Sequence, residues 1–174
     1  ILMKSYFYNQ SDVVFDFRDI RPKGSRLITS GGKAPGNQPL KDCVHDIRKV
    51  LDNVEVGRKL RPIEVHDIVC CIADAVLSGG IRRAALISFF SLEDHEMLTA
   101  KAGAWYETHP QRGRANNSAV ILRHRIEKEV FMNLWDRIEK DNNGEPAFAF
   151  SNDSETLFNP CAEAALKNNT FCNL

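Results

Sequence analysis

Asn159-Pro160-Cys161-Ala162-Glu163 sets an amide, a thiol and a carboxylate close together, and Cys172 adds a second thiol shortly after. In outline this is a radical or redox site. Pro160 fixes its own φ and restricts Asn159 to extended geometry, so the segment reads as a stiff loop that holds Cys161 and Glu163 in defined directions. Alternation along an extended segment predicts that residues 159, 161 and 163 share one face. A thiol flanked this way suits one small substrate: the thiol acts on a hydrogen, the carboxylate takes a proton from a hydroxyl, and the amide orients. A lone thiol cannot return two electrons, but Cys172 supplies half of a dithiol if another cysteine reaches it. Taken by itself, a thiol near an acid is more often a buried cysteine beside a surface glutamate.

The elements that must hold these residues alternate along the chain. Val13 to Phe17 reads as a short strand, followed by a Gly- and Pro-rich loop from Arg21 to Pro39, long enough to be functional. Leu40 to Asn53 has a helical period with Cys43, Val44, Ile47, Val50 and Leu51 on one face. Pro62 suits a first helical turn, and the helix it opens carries Val65, Val69, Ile72 and Val76 before Gly79-Gly80 stops it. A buried strand is expected at Ala84 to Phe90, a helix at Leu92 to Ala102, an irregular stretch at WYETHPQRG and a strand at Ser118 to Leu122. Glu127 to Lys140 reads as an amphipathic helix with Val130, Phe131, Leu134, Trp135 and Ile138 inward, turned by Asn142-Asn143-Gly144 into a strand at Pro146 to Phe150. Such alternation argues for an α/β fold.

Composition narrows the class without naming a function. The chain has 174 residues, 43% of them hydrophobic, and a formal net charge of zero, which fits one ordinary core and excludes fibrous, disordered and strongly charged classes. Nucleic acid is not an expected partner. No apolar run approaches the ~20 residues of a membrane span, and the opening residues lack a leader pattern, so a cytoplasmic setting is expected. Five cysteines, at 43, 70, 71, 161 and 172, follow no metal-ligand spacing and favour free or catalytic thiols.

The motifs, in their order, resemble the ribonucleotide reductases. FNPCAEAAL at 158 to 166 looks like the family's finger loop, and FCNL at 171 to 174 looks like the segment carrying one of its redox cysteines. Ser78-Gly79-Gly80-Ile81-Arg82-Arg83-Ala84 resembles the loop joining effector and substrate sites, and DIRPKGSRLITSGG at 19 to 32 resembles the effector-facing loop before it. With RANNSAV and GEPAFAF in the same order, the set is most similar to the adenosylcobalamin-dependent, monomeric ribonucleoside-triphosphate reductases of bacteria and their phages.

The resemblance implies that residues 1 to 174 are a single partial catalytic domain, an internal fragment of the family's ten-stranded α/β barrel, with effector-facing loops at about 19 to 39 and 78 to 84. It implies a thiyl radical at Cys161, a base at Glu163, ribose hydrogen bonds from Asn159 and a reducing thiol at Cys172. Ser78, Gly79, Gly80 and Arg82 become substrate- or effector-facing, and Arg21 an effector contact. The implied partners are a ribonucleoside triphosphate, a deoxynucleotide effector and a thioredoxin-like reductant. The implied cofactor is adenosylcobalamin, for which these residues contain no recognisable site, and the implied setting is the cytoplasm of a bacterium or of a phage-infected host. An enzyme dependent on a radical-generating partner subunit and a non-catalytic nucleotide-binding module are the alternatives.

Ala164 and Ala84 depart from the family pattern. The first implies looser packing under the finger loop, about 1 to 3 kcal/mol if nothing compensates.

Other polar residues read as structural. His45 and His66 fall beside apolar helical faces as partly buried histidines, and Asp94-His95-Glu96 as a charged surface rather than a metal site. Cys70 and Cys71 point to different helix faces. Arg112, Arg114, Arg123 and Arg125 read most simply as solvated, and SGGKAPG is no P-loop.

Overall fold

Six helices, a parallel sheet and a small hairpin organise the described residues, given by a computed structural model for residues 1–8, 10–28, 31–77 and 85–172. Helix α1 (Leu2–Phe7) lays Leu2 against α2 (Gln38–Asp52) and α3 (Pro62–Leu77) in a core of Cys43, Ile47, Leu51, Ile68 and Cys71. Pro39 and Pro62 stand at the helix starts, where a missing N–H costs little. The face expected for α2 is the one it buries.

Helix α3 is apolar nearly all round, so its period alone could not choose a face. Val65, Val69, Ile72 and Val76 are half-exposed, while Ile63, Ile68, Cys70, Cys71 and Ala73 are buried.

Strands β1 (Leu86–Phe90), β2 (Ala115–Leu122) and β3 (Ala147–Ser151) form a parallel sheet in that order, with β2 central. Leu86 lies opposite Ala115, and Ser118 opposite Ala147. The first crossover holds α4 (His95–Leu98), α5 (Trp105–Thr108) and a 3₁₀ turn (Pro110–Arg114); the second is α6 (Lys128–Asp141). A second core joins Ile63, Phe90, Met97, Leu98, Ala119 and Leu134 beneath the sheet. The α/β class agrees with the sequence, and the parallel pairing is decided by the fold.

Several local expectations do not hold. Val13 to Phe17 is not a strand: Val14 is exposed and no described strand lies alongside it, although Phe15 stacks on Phe17 and packs against the helical core. The helix expected over 92 to 102 shortens to His95–Leu98, where Asp94 Oδ1 accepts the Met97 N–H at 3.1 Å as its N-cap. In α6 only Leu134 is fully buried. Val130 and Trp135 are half-exposed, and Trp135 joins an aromatic cluster with Phe131 and Phe148.

Arg112 is buried, not solvated. Its Nε and Nη2 both donate to Asp67 at 2.7 Å, and Nη1 donates to the Ala100 carbonyl at 2.8 Å. Arg114 pairs with Asp74 at 2.5 Å. His45 is exposed, because α2 turns that position away from α3.

Candidate active site

The residues of the NPCAE motif occupy the tip of a hairpin. Strands β4 (Leu157–Phe158) and β5 (Ala165–Leu166) pair antiparallel, with Leu157 opposite Leu166 and Phe158 opposite Ala165. Asn159 closes the tip with its backbone and its side chain. Its carbonyl accepts the Ala162 N–H at 2.8 Å, its N–H donates to the Ala164 carbonyl at 3.2 Å, and its Oδ1 accepts the Ala164 N–H at 2.9 Å. Its Nδ2 donates to Cys172 Sγ at 3.7 Å.

The tip is therefore a turn and not the extended segment that strand alternation predicts. Ala162 has φ 64, left-handed backbone that a non-glycine residue enters at a cost of about 1 to 2 kcal/mol. The turn separates the three side chains: Asn159 is buried at 3% exposure, while Cys161 and Glu163 are exposed. What the fold brings together directly is Asn159 and Cys172, with the Cys172 thiol half-buried.

Two contacts seat the hairpin on the sheet. The Phe158 ring lies 6.2 Å from that of Phe89 in β1, and Asn116 Nδ2 of β2 donates to the Pro160 carbonyl at 2.7 Å. Sequence reasoning assigned Asn116 no role. The available signal was an asparagine pair, Asn116-Asn117, opening an otherwise small and apolar strand.

Beneath the sheet several polar groups are buried and paired, although the amide of buried Asn117 has no hydrogen-bond partner among the described residues. His66 Nδ1 lies 2.8 Å from Ser88 Oγ, and burial lowers the histidine to about 4, which keeps it neutral. Burial likewise pushes the Cys70 and Cys71 thiols up to about 12. Lys101 is buried with its ammonium 2.6 Å from both the Ala115 carbonyl and Glu145 Oε2. The Asp67–Arg112 pair, missed in the sequence, fastens α3 to the 3₁₀ turn before β2.

The loop at 19 to 39 folds back as an arm. Gly24 N–H donates to the Ala34 carbonyl at 2.8 Å, Ala34 N–H to the Ser25 carbonyl at 2.7 Å, and Arg26 bridges Lys33. Gly36 at φ 84 lets this arm close, because a Cβ there would stand 3.0 Å from that of Lys23. Arg21 is exposed at its base. Ser78, Gly79, Gly80 and Arg82 lie outside the described residues, as does Ala84.

An apolar crevice of about 840 Å³ lies beside Phe89, Leu122, Val130 and Leu157, and Cys161 is not among its lining residues. Among the described residues, no three His, Cys, Asp or Glu side chains converge as metal ligands. No described helix is long and apolar enough to cross a membrane.

The chain is 33% identical, over 99% of its residues, to an adenosylcobalamin-dependent ribonucleoside-triphosphate reductase of Euglena gracilis, of which it covers 25%. It is 32% identical to the enzyme of that name from Lacticaseibacillus paracasei, covering 95% of this chain and 23% of that protein. A probable enzyme of the same description from Dictyostelium discoideum is 27% identical, over 100% of this chain and 24% of its own length. The chain thus spans about a quarter of the length of these curated relatives. No protein-family model and no solved structure matches it.

Proposed function

We propose that this chain, which belongs to the ribonucleotide reductase family, carries the radical-thiol loop and effector-facing arm of a reductase converting ribonucleoside triphosphates to 2′-deoxyribonucleoside triphosphates. The whole protein would be a monomer that takes deoxynucleotide effectors. Its domain would be part of the family's ten-stranded barrel, with the hairpin as the finger loop. The observation that carries this reading is the hairpin tip, where one buried asparagine joins an exposed-thiol turn to a second thiol.

The relatives' names make adenosylcobalamin the proposed cofactor of the whole protein. The residue roles start from the substrate. Cys161, as a thiyl radical, would take the ribose 3′ hydrogen atom and return it at the end of turnover. Glu163 would take the 3′-hydroxyl proton. Cys172 would give a proton to the departing 2′-hydroxyl, which leaves as water, and with a second thiol would supply two electrons as their disulfide forms. A thioredoxin-like dithiol would then reduce that disulfide. Asn159 would hydrogen-bond the ribose hydroxyls with whatever capacity its contacts to Ala164 and Cys172 leave. Arg21 at the arm, and Ser78, Gly79, Gly80 and Arg82 outside the described residues, would read effector and substrate.

The test is turnover of the full-length protein with adenosylcobalamin, a dithiol and a ribonucleoside triphosphate. Deoxynucleotide formation that vanishes in Cys161→Ser, with an unchanged thermal transition, is expected. Substantial turnover by Cys161→Ser, or activity only after a radical-generating partner subunit is added, would overturn the reading.

A further inference from the structure

We infer that Asn116 is a positioning residue for Cys161, an inference that rests on reading Cys161 as the reacting thiol. Asn116 lies on β2, the central strand, between buried Ala115 and buried Asn117, and alternation turns it to the opposite face of the sheet. There its Nδ2 donates to the Pro160 carbonyl at 2.7 Å, across 44 positions of sequence.

That carbonyl belongs to the peptide unit that enters Cys161. The unit is planar, so holding its oxygen sets the orientation of the whole Pro160–Cys161 plane. The proline ring fixes φ on the near side. On the far side, the Ala162 N–H donated to the Asn159 carbonyl at 2.8 Å closes the turn. The backbone of Cys161 is thus held from both directions while the residue itself stays exposed. Phe158 on Phe89 anchors the base of the hairpin, and Asn116 sets the angle of its tip. An exposed asparagine at this place has the reach of an amide and the N–H that a carboxylate lacks.

Asn116→Asp in the full-length protein tests this, because the side chain keeps its shape and loses its donor. The expected result is a fall in kcat of about 10- to 100-fold with KM little changed, the range a small misplacement of a reacting group produces. Two readings that need no turnover accompany it: a changed alkylation rate at Cys161 with a neutral reagent, and faster hydrogen exchange at the Ala162 amide. Asn116→Gln, which keeps a donor on a longer arm, should recover part of each signal. Unchanged alkylation, exchange and kcat in Asn116→Asp overturn the inference, and so does loss of the cooperative thermal transition, which would mark a general structural role. If the unaltered full-length protein makes no deoxynucleotide, the proposed function fails. Alkylation and exchange still decide whether Asn116 sets the loop.

Discussion

Asn159 Nδ2 donates to Cys172 Sγ at 3.7 Å, so a residue buried at the start of the hairpin tip holds a thiol that follows the hairpin. The same side chain accepts the Ala164 N–H at 2.9 Å through Oδ1. Asn159→Ala should therefore loosen the hairpin by about 1 to 2 kcal/mol and raise hydrogen exchange at the Ala164 amide, since a buried donor loses its acceptor. Asn159→Asp keeps the acceptor and loses the donor. It should leave Ala164 protected while Cys172 alkylates at an altered rate, and equal exchange at Ala164 in both variants would sink this division of labour.

The five cysteines should separate into two classes. Cys161 is exposed and Cys172 half-buried, whereas Cys43, Cys70 and Cys71 are buried and burial raises each of their thiols. Thiolate is the reactive form, so iodoacetamide at neutral pH should label Cys161 and Cys172 and reach the other three only after denaturation. Peptide mapping reads this directly, and prompt labelling of Cys70 in the native protein would contradict it.

Arg112→Ala should cost about 3 to 5 kcal/mol, because it strands the Asp67 carboxylate inside the protein. Arg112→Lys should recover little, since an ammonium cannot reproduce the two parallel donations. Urea unfolding of both variants measures the loss; a change below about 1 kcal/mol would mean that Asp67 finds water in solution.

Acid should destabilise the protein in two stages, both through α3. His66 is lowered from 6.5 to about 4 by burial, so the unfolded chain takes a proton first as pH falls. Its contribution is whole above pH 6.5 and fades between 6.5 and about 4, an effect of about 3 kcal/mol at completion. Glu64, held to about 2 chiefly by the Arg58 hydrogen bond, contributes above its ordinary 4.5 and loses that stability as pH falls toward 2. Urea midpoints at pH 7, 5 and 4 should decline, and His66→Gln should flatten the upper part of that decline. A flat wild-type profile over this range would refute the assignment.

The amino-acid sequence by itself placed helices at 40–53 and from Pro62 to 77, and strands at 84–90, 118–122 and 146–150, close to the folded elements at 38–52, 62–77, 86–90, 115–122 and 147–151, and it carried the family's motifs. Those are local matters: apolar period, proline position, β-branched runs and ordered motifs lie along the chain. Tertiary structure decided which face of α3 is buried, because that helix is apolar on several sides and only its contacts with α2 and β1 choose among them. It decided that Arg112 is an internal partner of Asp67, 45 positions away, a pairing that no period encodes. It also decided the shape of the site. Alternation assumes an extended strand, but the hairpin register and left-handed Ala162 make a turn, so Asn159 goes inside and Cys161 and Glu163 stay out. Asn116 is the plainest case: its part depends on a central strand meeting a loop that forms 44 residues later, a distance that only the folded chain closes.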